Sequence, residues 1–360
     1  MGGVVDRRAV LVTALLLFTG VIMLYSASSP FSLRHYGSDT AMLIRQLMAA
    51  GVGIAALIVL ESWDYHQLVQ LNDVFLIGGI LLTLLTILPT NLADGRWLPL
   101  GPFTFQPTEA VKFSLILFMA HSLSRKGDKI RRFSEGVLPY LVLLGLLAAI
   151  LIVQPDLGMI VVLGAVTMAM LFFAGARKIH LLAVGAAGIP LVFAAICLAP
   201  YRFARLISFL HPQAYSQSTG YQTIQSLIAV GSGGILGRGL GASQAKLFYL
   251  PQSHNDFIMS VLAEELGLIG VMAVMGLVGW LVWRAFMIAE AASDRLGQLL
   301  AMGIGFALGF QTLLNLGVVV GLLPVTGLTF PFLSNGGSSL IITLALVGVL
   351  LNVSKQGGRT

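Results

Sequence analysis

About ten apolar runs fall along the 360 residues, at 9–27, 42–60, 74–92, 109–124, 137–153, 157–174, 181–200, 257–283, 296–323 and 340–354. Each is long enough to cross roughly 30 Å of hydrocarbon once tilt and interfacial residues are allowed for. In lipid every backbone N–H and C=O needs an internal partner, so only helices or a closed barrel can span. The short alternating segments of barrel strands do not occur, and 41 glycines suit closely packed helices. The chain therefore reads as an all-α integral membrane protein, one polytopic domain over residues 1–360. A 57% hydrophobic share against 10% charged excludes a soluble core. Residues 1–27 could imitate a signal peptide, but Ala27-Ser28-Ser29-Pro30 is a poor processing site, so they are read as a retained first span.

Lys and Arg counted in alternate loops fix the orientation. Thirteen lie in the segments on the N-terminal side, which include Arg7, Arg125, Lys126, Lys129, Arg177, Arg284, Lys355 and Arg359, and six lie on the other. Both termini are thus cytoplasmic, and residues 201–256, between the seventh and eighth spans, form a long extracytoplasmic loop. Topology accounts for the net charge of +6, so no nucleic-acid partner is implied. The single cysteine, Cys197, lies in an apolar run and reads as a small buried hydrophobe, with no disulfide framework or thiolate metal site.

Four polar clusters share the outer face. The first is the loop 93–108, with Arg96 and Trp97, leading to Thr108, Glu109 and Lys112. Glu109 and Lys112 stand at i, i+3, either a helix-end ion pair or part of a polar cavity. The second is Gln154-Pro155-Asp156-Leu157-Gly158, where Asp156 reads as a helix N-cap. The third joins His254 and Asp256 to Glu264 and Glu265. Two adjacent carboxylates are expensive in lipid, so at least one is expected to turn inward, toward Lys112 or Arg45, while Glu265 reads as structural. The fourth runs from Asn315 through Pro324 and Pro331 to Ser334-Asn335-Gly336-Gly337-Ser338-Ser339. This segment offers backbone amides to an anion, and equally reads as a glycine C-cap before a serine N-cap.

GRWLPLG and FQPTEAVKF at 95–113, QPDLG at 154–158, GYQTIQSLIAVGSGGILGRGLG at 220–241, LPQSHNDFIMSVLAEELGLIG at 250–270 and PVTGLTFPFLSNGGSS at 324–339 together resemble the SEDS family, the shape, elongation, division and sporulation proteins. The likeness spans nearly the whole chain in order and is closest to the RodA branch, with the Lys- and Arg-rich loop at 125–132 in its favour. Asn335 departs from the pattern, where tyrosine is more frequent before Gly-Gly. The resemblance implies a peptidoglycan glycosyltransferase of the bacterial cytoplasmic membrane that polymerises lipid II at the outer face during cell elongation. It carries over Asp256 as the catalytic residue and Trp97, Glu109 and Lys112 as substrate-site residues. It also implies a class B penicillin-binding protein as transpeptidase partner, with other membrane proteins of the elongation machinery.

The chemistry of the residues agrees with this. Glycan polymerisation needs a base for the acceptor 4-hydroxyl and cations or amides for the departing polyprenyl pyrophosphate. Asp256 suits the base. Arg205, Arg238, Lys246 and Lys112, with Ser334 and Ser338, are the expected phosphate partners, and Asp156, Glu264 and Arg45 are expected in the polar cavity. A divalent cation, Mg or Mn, could share the phosphate role through the same carboxylates, although no spacing defines a metal site. The competing reading is a flippase for lipid-linked precursor. That function favours ionisable residues near the bilayer midplane and an inverted repeat, and neither pattern is visible.

Overall fold

The computed structural model describes residues 5–88, 95–100 and 103–357. The helices in chain order are α1 (Arg7–Tyr36), α2 (Ala41–Ser62), α3 (Tyr65–Leu68), α4 (Asn72–Leu85), α5 (Pro107–Ser124), α6 (Leu138–Val153), α7 (Leu157–Ala174), α8 (Lys178–Cys197), α9 (Pro200–Leu210), α10 (Tyr221–Gly233), α11 (Ile258–Ala291), α12 (Arg295–Val319) and α13 (Gly337–Gln356). A short antiparallel pair, β1 (Leu98–Leu100) and β2 (Phe103–Phe105), precedes α5, with Leu98 opposite Phe105.

Among the described residues nine helices are long and apolar enough to cross a membrane. The remaining expected span, the fourth at 109–124, is the helix α5. Thirteen of its eighteen residues are buried, so protein rather than lipid surrounds it and it tolerates Glu109 and Lys112. The expected third span becomes a helical run from Tyr65 to Leu85, and residues 89–92 of that expectation lie outside the described residues.

Side-chain caps set several helix starts. Asp6, Asp156 and Asp294 accept backbone N–H groups at the first turns of α1, α7 and α12. Pro107 opens α5, where a missing N–H is harmless. The expected close packing is clearest between α2 and α13, where a Cβ on Gly348 would stand 2.6 Å from the Leu57 carbonyl oxygen. By contrast α8 buries no residue, and Cys197 at its end is exposed rather than buried, because the helix lies at the edge of the bundle.

Arg284 donates to the Asp6 carboxylate at 2.7 and 2.8 Å, and the Asp6 N–H donates to Ser354 Oγ at 3.2 Å. The start of α1, the inner part of α11 and the end of α13 thus share one face, which the charge count makes cytoplasmic. At 1.5 Å per residue the 34-residue α11 is roughly 50 Å long, well beyond a hydrocarbon core of about 30 Å. Its first turns, with Glu264 and Glu265, therefore stand toward the outer interface.

Candidate active site

Residues 201–256 are not an open loop. α9 and α10 take up much of the segment, and residues 234–239 fold back beside a break in α11 at Gly267. There Arg238 and Gly239 N–H donate to the carbonyls of Glu264 and Glu265, and Leu268 and Ile269 N–H donate to those of Gly234 and Ile235. The two backbones touch. A Cβ on Gly267, whose φ is +66°, would stand 2.4 Å from both Gly237 N and Ile235 O.

This contact decides where the acids of α11 point. Glu264 accepts from Arg238 Nη1 at 3.2 Å, Ser243 Oγ at 2.6 Å, and the N–H groups of Gln244 and Ala245 at 3.1 Å each. Glu265 accepts from Lys246 Nζ at 2.7 Å and Ser26 Oγ at 2.7 Å, and it is wholly buried. The expected partners Lys112 and Arg45 are elsewhere, and Arg238 and Lys246 stand with these two glutamates instead of beside Asp256. Lys112 is 2.6 Å from Glu109 and donates to Gln311 Oε1 at 2.7 Å, all buried in the bundle. Arg45 stacks over the Tyr36 ring at 4.5 Å.

A different set gathers at Asp256. Asp156, buried at the start of α7, accepts from the Met159 N–H at 3.2 Å and Gln106 Nε2 at 3.1 Å, and stands 3.2 Å from Arg96 Nη1. Gly327, at φ +77°, leaves a gap among these charges. The Cβ it lacks would lie 3.8 Å from both terminal nitrogens of Arg96 and 3.8 Å from Asp256 Oδ2. Arg205 closes the same side, donating from Nη1 to the Val325 carbonyl at 3.2 Å and stacking on Tyr201 at 4.4 Å.

The turn carrying Asp256 is held by its backbone. Asn315 Nδ2 donates to the Asp256 carbonyl at 2.9 Å, Ser334 Oγ to that of Asn255 at 2.7 Å, and the Asn335 N–H to that of His254 at 2.9 Å. Ser338 Oγ receives the Gln106 N–H at 3.1 Å. Both serine hydroxyls thus take part in fixing the segments around the site. The Asp256 carboxylate itself accepts no hydrogen bond among the described residues. Burial pushes its carboxyl up to about 6, and Asp156 adds to the rise against the opposing pull of Arg96 and Arg205. Burial likewise raises Asp156, more than Arg96 and the Met159 amide recover. His254, packed 4.7 Å from the Phe31 ring, is held down to about 4 by burial and by His35.

Two cavities flank this turn on the outer face. One, of about 380 Å³, is lined by Trp97, Arg45, Gln46, Gln252, Asn255 and Asn335. The other, of about 430 Å³, is lined by Arg205, Tyr201, Tyr221, Gln222, Pro251 and Val325. Of the expected site residues, Trp97, Arg205, Asp156 and Asp256 therefore come together, with Arg45 at the rim. Arg96 joins them although the sequence offers it only as the neighbour of Trp97 in the loop 93–108, because Asp156 and Asp256 lie far from it along the chain. Among the described residues no three His, Cys, Asp or Glu side chains converge as metal ligands.

Comparison with known proteins agrees with the geometry. The family described as cell cycle protein, FtsW/RodA/SpoVE, matches residues 7–358. The chain is 44% identical to a protein of Geobacter metallireducens named probable peptidoglycan glycosyltransferase FtsW, covering 98% of this chain and 95% of that one. It is 40% identical to stage V sporulation protein E of Bacillus subtilis, over 97% of each. Among solved structures, one titled "Structural coordination of polymerization and crosslinking by a peptidoglycan synthase complex" matches with a TM-score of 0.81 at 32% identity, over 99% of each chain. The rod shape determining protein RodA of Thermus thermophilus matches with a TM-score of 0.72 at 31% identity, over 99% of this chain and 98% of that one. Matched nearly end to end in both sequence and fold, the chain is a multi-pass bacterial membrane protein belonging to the FtsW/RodA/SpoVE family, the SEDS proteins.

Proposed function

We propose that the protein is a peptidoglycan glycosyltransferase that polymerises lipid II at the outer face of the cytoplasmic membrane. The observation that carries this reading is Asp256, a partly buried carboxylate without a hydrogen-bond donor among the described residues, set between two outer-face cavities and beside two arginines. A polymerase must hold two lipid-linked glycans, and two cavities on either side of the turn that carries one base suit a donor and an acceptor. In the reaction Asp256 takes the proton of the acceptor sugar's 4-hydroxyl as that oxygen bonds to the donor's anomeric carbon. The bond from that carbon to the diphosphate breaks, and Arg96 and Arg205 stabilise the departing polyprenyl diphosphate. Trp97 offers a flat apolar face to a sugar ring. Glu109 and Lys112, being buried against Gln311, support the helices from within.

A divalent cation fits this donor set in one way only. Asp156 is already engaged by Arg96, Gln106 and the Met159 amide, so among the described residues of this site Asp256 supplies the one free carboxylate and the diphosphate would furnish most of the ligands. Activity against chelator and added Mg or Mn tests it.

A class B penicillin-binding protein is the inferred partner, in keeping with the synthase complex among the structural matches. We assign the strand synthesis to cell elongation, alongside that machinery's other membrane proteins, on the basic loop at 125–132. Identities of 40–44% to FtsW and stage V sporulation protein E, against 31% to RodA, support division or sporulation as a second reading. Complementation separates them: rescue of rod shape in cells depleted of RodA sustains elongation, and rescue of septation in cells depleted of FtsW sustains division.

The activity is tested with purified lipid II and the class B partner carrying an inactive transpeptidase serine, comparing wild type with Asp256→Ala and Asp256→Asn at equal folded amounts. Glycan from wild type alone sustains the proposal. Equal glycan from all three removes Asp256, and no glycan alongside lipid II translocation in liposomes makes the protein a flippase.

A further inference from the structure

The inner face holds a cavity of about 410 Å³ that the proposed chemistry does not use. It opens between the turn after α3, the last turn of α5 and the first turn of α12, and its polar wall includes Gln70, His121, Ser124, Arg125 and Arg295 over the apolar Val69 and Leu296. Its one lining acid is already engaged. Asp294 accepts from Tyr65 Oη at 2.7 Å and the Gly297 N–H at 2.9 Å, and meets His66 Nε2 at 3.0 Å; the other His66 nitrogen lies 2.8 Å from Asp64. Arg295 donates to the Phe173 carbonyl at 2.6 Å and to Gln298. The Arg125 guanidinium and the His121 ring, by contrast, have no hydrogen-bond or ion-pair partner among the described residues. The remaining acid near His121 is Asp73, exposed on α4.

The cavity's position points to its ligand. It lies on the face shared with Asp6, Ser354 and Arg284, hence at the level of the inner headgroups. Directly after Gln70, the exposed Leu71, Val74, Ile77 and Leu81 form one flank of the helical run, a bare apolar track into the bilayer. Basic pockets between helices on the cytoplasmic side suit anionic headgroups, and a guanidinium matches a phosphate with paired donors.

We propose that this cavity binds the phosphate of an anionic phospholipid of the inner leaflet. Arg125, His121 and Arg295 hold the phosphate, and an acyl chain follows the Leu71 to Leu81 flank. Occupancy ties together the inner ends of α5 and α12, whose outer halves carry Lys112 and Asn315.

The test is native mass spectrometry of the full-length protein released from mixed phosphatidylglycerol and phosphatidylethanolamine bicelles. Wild type is compared with Arg125→Gln/Arg295→Gln and with Lys129→Gln/Arg131→Gln, which removes the same charge from the same face outside the cavity. Each arginine at such a surface is worth about a fivefold change, so the cavity variant loses its phosphatidylglycerol preference by about tenfold or more and the control keeps it within about threefold. Arg125→Gln alone breaks no hydrogen bond or ion pair among the described residues and reads about fivefold should the double variant unfold. The proposal is overturned by a preference that survives in the cavity variants, by an equal loss in the control, or by release of the lipid with millimolar inorganic phosphate, which would mark a site for free phosphate.

Discussion

Replacing Arg96 with glutamine removes a positive charge from beside Asp256 while leaving an amide that can still reach Asp156. The Arg96 terminal nitrogens and Asp256 Oδ2 each lie 3.8 Å from the position of the absent Gly327 Cβ, so they are within twice that distance of each other. At roughly 7 Å and an effective dielectric of about 20, such a pair is worth about 2 kcal/mol. The Arg96 side chain is 29% exposed, so solvent reduces this to about 1 kcal/mol, a little under one pH unit. The sign is fixed. The carboxylate loses a stabilising cation, so the Asp256 carboxyl, already raised to about 6 by burial, rises further, toward 7. The proposed base works only when deprotonated, so on that reading the acid limb of kcat/KM for lipid II polymerisation moves upward with it. Near pH 6 the variant loses about threefold beyond any pH-independent defect, the loss approaches about fivefold at lower pH, and above pH 8 it vanishes. Initial rates from pH 5 to 9, with the class B partner present and the folded fraction matched, measure this. A limb that stays in place or moves down refutes the link between Arg96 and Asp256 ionisation. A loss equal at every pH assigns Arg96 to the diphosphate alone.

Three further outcomes follow from the same contacts. Because the folded Asp256 value near 6 lies above that of a free carboxyl, the fold favours the neutral form; that contribution is present below about pH 4 and is lost as pH rises through 6. Asp256→Asn should therefore be about 3 kcal/mol harder to unfold than wild type at pH 8, with the gap closing toward pH 4, and, as the proposed base is lost, inactive; equal stability at both pH values would contradict the raised value. Lys246→Met leaves the wholly buried Glu265 with serine partners only and should cost about 3–5 kcal/mol, whereas Lys246→Met/Glu265→Gln recovers most of the loss; additive losses in thermal unfolding would refute the coupling. Gly267→Ala meets Gly237 N and Ile235 O at 2.4 Å in a left-handed conformation and should destabilise by at least about 3 kcal/mol, while Gly276→Ala on the same helix, with open space around it, should be close to neutral in the same melts.

The apolar runs were legible because lipid demands an internally satisfied helix, and even α5 could be recognised despite its charges, since Glu109 and Lys112 stand three residues apart and pair locally. What the residue order concealed is which distant charges meet. Glu264 and Arg238 are joined because Gly237 and Gly267 let two backbones touch, and nothing in spacing announces that contact. Grouping polar residues by membrane face accordingly brought Asp156, Asp256 and Arg205 to their common centre but also gathered in Arg238, Lys246 and Glu264, which belong to another.

Satisfaction of the carboxylates separates the two groups. Glu264 accepts four hydrogen bonds and Asp156 is held by an arginine, an amide side chain and a helix N-terminus, so both are complete as they stand. Asp256 is fixed through its backbone by Asn315 and bordered by Ser334 and Asn335, yet its own oxygens accept nothing among the described residues. A fold that invests several side chains in positioning a carboxylate while leaving it unbonded has an incomplete hydrogen-bond set at that point, and a sugar hydroxyl entering from either cavity would complete it.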